Sequence, residues 1–290
     1  MKNPTLCFIS MAVLLAVSDA SATLATDSPV LQPIHTRFAQ TQEHFSVEFS
    51  IWSFSDFELE EADEFDGWST AVEFVWPLPF EKTEDMQLRF ILPYYTEGDA
   101  VNTDESKVDV GEDIDIDGYG GVYEFMTLQF EHQLYALEAD GFNGAYYFGF
   151  GKRTEVLDTS TVSEDRFNHS GQVIVAGVKY DRPIWDGRAH WLVNTGVRGY
   201  LDTDDLHVDD KVDFLFGDLK TALVFEPLGE HFVPVVELTY LGDFDYNWIS
   251  LEPEVIIPFN ERASAKVGGM FGLTSDGNQA GGQASLVINF

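Results

Sequence analysis

Cysteine is almost missing from this 290-residue chain, and its single thiol, Cys7, sits near the amino terminus. Cys7 lies within an apolar run from Leu6 to Val17, which follows Lys2 and precedes Ala20-Ser21-Ala22. That layout is expected of a cleaved secretory signal peptide over residues 1–22, with the mature chain starting near Thr23. Without the leader there is no thiol left for a disulfide, a lipid anchor or a Cys-based metal site. Long apolar stretches are lacking too. The leader run is about twelve residues where a spanning helix needs about twenty, and no later stretch reaches that length. A bilayer can then be crossed only by a closed barrel. Positive charge is scarce, with 16 Lys+Arg against 50 Asp+Glu and a formal net charge of −34. Phosphate neutralisation needs the opposite sign, so nucleic acid is excluded as a partner. The excess of acid keeps exposed parts soluble, repels anions and suits a saline habitat. The hydrolase and nucleotide signatures G-x-S-x-G, H-E-x-x-H and the P-loop are all missing.

What the chain has in quantity is aromatics, 14% of residues with 24 Phe, together with 24 Gly. Aromatic girdles and tightly curved strands use both. The last stretch, Gln283 to Phe290, shows the pattern most clearly. Ala284, Leu286, Ile288 and Phe290 share one face, while Gln283, Ser285 and Asn289 share the other with Val287 as the exception. An apolar outward face and a polar inward face are the mark of a strand that meets lipid. Counting back from it, alternating or aromatic-rich runs predict twelve strands: 44–54, 68–76, 86–95, 118–129, 144–155, 171–181, 189–201, 213–226, 232–241, 246–257, 262–273 and 283–290. The fourth alternates poorly, and ten or fourteen strands remain open.

Connector lengths supply a second signal. Compact proline turns follow the even-numbered strands, at Pro77-Leu78-Pro79, Pro183 to Gly187, Pro227-Leu228-Gly229 and Pro258-Phe259-Asn260. Longer acidic segments follow the odd-numbered ones, such as Phe57 to Asp66, Glu97 to Asp117, Asp158 to Phe167 and Asp202 to Lys211. Short periplasmic turns alternating with long external loops are the rule for outer-membrane barrels. The connection from His132 to Asp140 is too long for this scheme. The fold class expected is therefore all-β, an antiparallel up-and-down transmembrane barrel of about twelve strands over residues 42–290, with both termini periplasmic. A soluble β-sandwich is the competitor, but these strands carry apolar faces too continuous for water.

Several residue groups stand out chemically. Facing places Glu73, Arg89, Arg153, Lys179, Asp181, Arg198, Asp218, Lys220, Glu237, Glu252, Glu254 and Lys266 in the lumen. One reading is a network of ion pairs that fixes the cross-section, because buried charges must be paired. The other is a charged constriction that selects solutes. Asp113, Asp115 and Asp117, followed by Gly118 and Glu124, match the calcium-loop pattern D-x-D-x-D-G-x5-E. However, Gly120 replaces the usual apolar residue, and Glu124 would lie roughly 20 Å down an extended strand. Ca2+ held by the three aspartates alone is one reading, and a solvated acidic loop is the other. Divalent bridging of such loops to lipopolysaccharide phosphates is compatible with both. His169 and Ser170 stand where a strand leaves an external loop, the height at which some outer-membrane lipid hydrolases place a catalytic Ser and His. Adjacent strand residues face opposite ways, so these two cannot form a nucleophile–base pair together.

Twelve strands, a terminal Phe290 and a short segment from Thr23 to Thr41 resemble an autotransporter translocator domain. The solitary autotransporter-like barrels of marine gamma-proteobacteria are the closest description. The resemblance implies that Ile34 to Gln42 form a couple of helical turns inside the lumen. It also implies that Leu286, Ile288 and Phe290 are read by the barrel-insertion machinery, and that the protein resides in the outer membrane of a Gram-negative cell. Fewer than twenty residues of the expected mature chain precede the first strand, so no passenger is expected. The function expected is a non-catalytic translocator-like or structural barrel in contact with outer-membrane lipid and lipopolysaccharide. The alternatives are a small porin-like channel for cationic or neutral solutes and an outer-membrane lipid hydrolase.

Overall fold

In the computed structural model the described residues are 31–57, 62–78, 85–102, 113–118, 126–152, 172–200, 215–229, 231–242, 247–275 and 277–290. The strands are β1 (Ser46–Phe57), β2 (Ala62–Pro77), β3 (Met86–Asn102), β4 (Asp113–Gly118), β5 (Met126–Tyr135), β6 (Asn143–Lys152) and β7 (Gln172–Ile184). They continue with β8 (Ala189–Tyr200), β9 (Leu215–Phe225), β10 (Val233–Gly242), β11 (Asn247–Asn260), β12 (Ala263–Gly272) and β13 (Ala280–Asn289). Apart from β4, each strand pairs antiparallel with the strands before and after it in the chain, and β13 returns to β1, from Ser46 opposite Asn289 to Trp52 opposite Gln283. The ring is thus a closed barrel of twelve strands, with no sheet edge left open along the wall.

β4 is the thirteenth strand and the one departure from simple order. It pairs with the distal part of β3, Thr96 to Val101, while β5 pairs with the proximal part, Met86 to Ile91. The fourth barrel strand is therefore Met126–Tyr135, starting eight residues and ending six residues later than the expected 118–129. Alternation over Gly118 to Gln129 is poor because that window joins two separate pairing segments. The shift also accounts for the long connection near His132. Its first four residues, His132 to Tyr135, are strand, and a single helical turn, Leu137–Asp140, then leads to Gly141 in a left-handed conformation (φ 79°).

The pleat sorts side chains as lipid requires. Phe49, Ile51, Trp76, Phe150, Val267 and Leu286 are exposed on the outside, whereas Glu48, Trp52, Glu73, Gln283 and Ser285 on the same strands are buried inside. An apolar outer surface of that extent has no place in water. Aromatic rings join in a belt near the end that carries Phe290. Phe45 lies 5.7 Å from Phe290, 6.3 Å from Trp76 and 6.4 Å from Phe74, and Tyr180 continues the belt to Trp191 at 5.9 Å. On the inner wall, the facing glycines Gly177 and Gly196 make room for Tyr147. A Cβ on either would stand 2.4 Å from its hydroxyl.

Candidate functional site

Residues 31–42 run through the lumen, and their backbone determines how they are held. A buried N–H needs an acceptor, but these residues pair with no strand. Side chains of the wall take that place. Ile34 N donates to Glu254 (3.2 Å), His35 N and Thr36 N to the two oxygens of Glu237 (3.1 and 2.6 Å), and Arg37 N to Asn194 (2.7 Å). Further along, Ala39 N reaches Asp181 (2.6 Å), Thr41 N reaches Gln133 (2.9 Å) and Gln42 N reaches Gln87 (2.9 Å). Carbonyls are met in turn, with Asn194 Nδ2 donating to Arg37 O at 2.8 Å and Lys266 Nζ to Pro33 O at 3.2 Å. The expected helical turns over Ile34 to Gln42 are absent; the segment is bent and irregular. So short a helix does not hold in isolation, since about 12–15 residues are needed even for strong formers. Here the wall supplies each of these seven amides with an external acceptor instead.

Side chains lock the same segment. The Arg37 guanidinium reaches Glu48 through Nη2 (3.1 Å) and Glu73 through Nη2 (3.2 Å) and Nε (3.4 Å). It also donates to the carbonyls of Pro33 and of Ile34, the latter at 2.6 Å, and so fastens the bend on itself. Burial disfavours the charge, but Glu48 and Glu73 stand against the guanidinium and pair it. His35 Nε2 lies 2.6 Å from Gln283 Oε1 and 3.1 Å from Glu252 Oε2, and its ring stacks on Trp52. Phe38 fills an apolar pocket of Leu192, Ala222, Val224, Val233, Val235 and Ile256. One contiguous stretch thus carries a buried cation, an aromatic plug and a row of bonded amides.

Beside it lies a cavity of about 60 Å³ lined by His35, Arg89, Tyr147, Lys179, Asn194, Arg198, Asp218 and Lys220, among others. Arg89 is 2.6 Å from Glu73, Lys179 is 2.6 Å from Glu131, Arg198 is 3.7 Å from Asp218, and Lys266 is 2.8 Å from Glu48. Of the lumenal positions expected from sequence, Glu73, Lys179, Asp181, Glu237, Glu252, Glu254 and Lys266 are buried inside the barrel. Arg89, Arg198, Asp218 and Lys220 line the cavity, and Arg153 lies outside the described residues. Sequence reasoning did not single out Arg37, His35, Glu48 or Glu131. For Glu131 the available signal was its phase with Gln129 and Gln133, once β5 is placed correctly.

Two further groups bear on chemistry. Asp113, Asp115 and Asp117 lie on β4, whose backbone is extended and paired to β3 rather than wrapped as an ion-binding loop; their side chains are not among those described. Glu124, His169, Ser170 and the leader lie outside the described residues. Among the described residues no cluster of three or more His, Cys, Asp or Glu could hold a metal ion.

No family model matches the sequence, and no curated protein matches it. Solved structures do. An outer membrane channel from Pseudomonas putida F1 superposes with a TM-score of 0.58 at 11% identity, over 94% of this chain and 100% of that one. The translocator domain of the autotransporter NalP from Neisseria meningitidis gives 0.48 at 11% identity, over 99% and 97% of the two chains. The transport unit of the autotransporter AIDA-I from Escherichia coli gives 0.49 at 11%, with the same coverage. The first of these carries the comparison; it shows a shared fold and no more. The fold defines the class: this is a closed antiparallel β-barrel with an apolar outer face, and it shares that fold with an outer membrane channel.

Proposed function

We propose that the protein is a solitary, non-catalytic outer-membrane barrel, translocator-like or structural, whose lumen is held closed by its own residues 31–42. The observation that carries this reading is the double fastening of the segment. Its amides are bonded to β5, β7, β8, β10 and β11 and to Gln87 on β3, and its guanidinium to β1 and β2. The cavities of about 60 and 20 Å³ beside it offer room for only a few waters, at about 10–15 Å³ each. On this reading a cleaved leader delivers the chain, Leu286, Ile288 and Phe290 are read by the insertion machinery, and both termini face the periplasm. The acidic connectors then meet lipopolysaccharide outside, with Ca2+ as a bridging ion.

Planar-bilayer recording tests the closure. The intact chain is expected to be silent, and a variant lacking residues 31–42 to conduct in discrete steps. Equal conductance by both would refute it. A second reading, a small channel for cationic or neutral solutes, draws support from the fold shared with the Pseudomonas outer membrane channel; steady, cation-selective conductance of the intact chain would favour it. The lipid-hydrolase alternative rests on His169 and Ser170 alone. It is abandoned if purified protein with calcium leaves phospholipid uncleaved.

A further inference from the structure

We infer that residues 31–42 are a re-entrant stopper, which enters the lumen and leaves it by the one mouth that carries Phe290. The inference rests on the closure proposed above and adds its direction. Strand ends supply the ruler, because neighbouring strands run antiparallel: β1, β3, β8, β10 and β12 start at the Phe290 side, and β5, β7, β9, β11 and β13 end there. The limb that leads to β1 is shallow at first. Gln42 N bonds Gln87, the second residue of β3, and the Gln42 side chain accepts from Ser46, the first residue of β1. Thr41 N bonds Gln133, two residues before the end of β5, and Ala39 N bonds Asp181, three before the end of β7. Arg37 N goes deeper, to Asn194, five residues past the start of β8. The His35 ring marks the apex, beside Gln283, six residues before the end of β13. At about 3.3 Å per residue that is roughly 20 Å along the strand.

On the other side of His35 the depth falls again. Pro33 O accepts from Lys266, three residues past the start of β12. Leu31 packs on the same cluster as Phe38, whose wall members Leu192, Ala222, Val224, Val233, Val235 and Ile256 all lie within four residues of the strand ends at the Phe290 side. A chain threaded straight through would set Leu31 and Phe38 roughly 23 Å apart, at about 3.3 Å per residue, too far to share that cluster. Arg37 fastens the bend between them by donating to the carbonyls of Pro33 and Ile34. Beyond the apex the way is blocked by apolar side chains. His35 stacks on Trp52, and Phe54, Phe57, Phe65, Trp248 and Met270 are buried further toward the opposite mouth. Their rings meet, with Phe54 5.3 Å from Phe57 and 6.0 Å from Phe65, and Phe57 6.0 Å from Trp248. Pushing the bonded amides and the Arg37 charge through that layer would strip them of partners, which is costly, whereas withdrawal the way they came ends in water. The stopper therefore opens toward the Phe290 end, and the barrel does not carry its own amino-terminal arm outward.

Thiol labelling of the full chain in cells tests this. No cysteine follows Cys7, so one introduced thiol reports its own side of the membrane. Ser28→Cys sits just ahead of the stopper, and Thr159→Cys sits in the connector between β6 and β7, at the opposite mouth. Each variant is treated with a maleimide on a polyethylene glycol chain too large to cross an outer membrane, in intact cells and in cells whose outer membrane has been opened. Thr159→Cys is expected to be labelled in both. Ser28→Cys is expected to be labelled only in the opened cells. Labelling of Ser28→Cys on intact cells would overturn the inference, because the arm would then be threaded outward. Failure to label it in either state would also overturn it, since the chain ahead of Leu31 would not emerge at all. Conductance of the purified Ser28→Cys chain separates this from closure. Outward labelling with a silent bilayer removes the hairpin and keeps the closed lumen, and labelling confined to opened cells with steady conductance keeps the hairpin and removes the closure.

Discussion

Residues 34–37 are gripped in two different ways on two sides of the lumen. On β10 and β11, Glu237 and Glu254 accept neutral backbone N–H groups from Ile34, His35 and Thr36. On β1 and β2, Glu48 and Glu73 accept the charged fork of Arg37, and each has a second cation, Lys266 for Glu48 and Arg89 for Glu73. The first grip is a row of separate bonds, each worth about 1 kcal/mol net, so losing one leaves the others in place. The second is a linked chain, Lys266–Glu48–Arg37–Glu73–Arg89, with Arg37 at its centre. Removing the centre takes one of two cations from each carboxylate and leaves the Ile34 carbonyl without its guanidinium donor. A segment held only by amides would peel away stepwise, whereas one pinned at Arg37 is held or released as a unit.

The largest effect is therefore expected from Arg37→Ala. Breaking a buried ion pair by deleting one partner costs about 3–5 kcal/mol. The segment should leave the lumen, with discrete conductance in bilayers and rapid proteolysis of residues 31–42. Arg37→Lys should recover only part of the closure, because a point charge cannot serve both carboxylates with a planar fork. Next comes Glu237→Gln. The amide keeps one acceptor oxygen for two N–H groups, so a loss of about 1–3 kcal/mol is expected. Hydrogen exchange should quicken at His35 and Thr36 more than at Arg37, whose amide goes to Asn194. If exchange rises equally at all three, the two grips are not separable.

Legibility in the sequence divides along the same line. The wall was readable because its information is local. In β1 and β13 the alternation of Phe49, Ile51 and Leu286 with Glu48, Ser285 and Gln283 sets the facing of each strand without knowledge of its neighbours. It failed locally at Gly118 to Gln129, where one run spans two pairing segments. For the lumenal segment, a course through the barrel was implied only by the resemblance, and its conformation was not readable. Nothing near Arg37 in sequence announces Glu48 or Glu73 as its partners, and nothing near Ile34 points to Glu254, 220 residues away. Pairing of that kind is settled by closure of the ring. The cavity beside His35 shows the same limit: Arg89, Lys179, Arg198 and Lys220 come from β3, β7, β8 and β9, and their convergence is a property of the barrel.

The smallest effect expected is that of salt, and it separates this lumen from the acidic exterior. At about 1 M salt the Debye length falls to about 3 Å, which erases interactions between exposed charges but screens buried pairs much less. Arg37, Glu48 and Glu73 have side chains only 6%, 8% and 11% exposed. Raising salt should therefore leave the intact chain silent and residues 31–42 resistant to protease, even as it screens the outer surface of a protein with a formal charge of −34. Were the segment instead a mobile basic tail drawn loosely into an acidic lumen, the same salt would release it, and conductance would rise with ionic strength beyond the change in bulk conductivity. Recording the intact chain and Glu237→Gln across a salt series decides the matter. A flat response in the first and a slight, salt-independent opening in the second would mean that Arg37 fixes the segment by buried pairing while the β10–β11 carboxylates align it by hydrogen bonds.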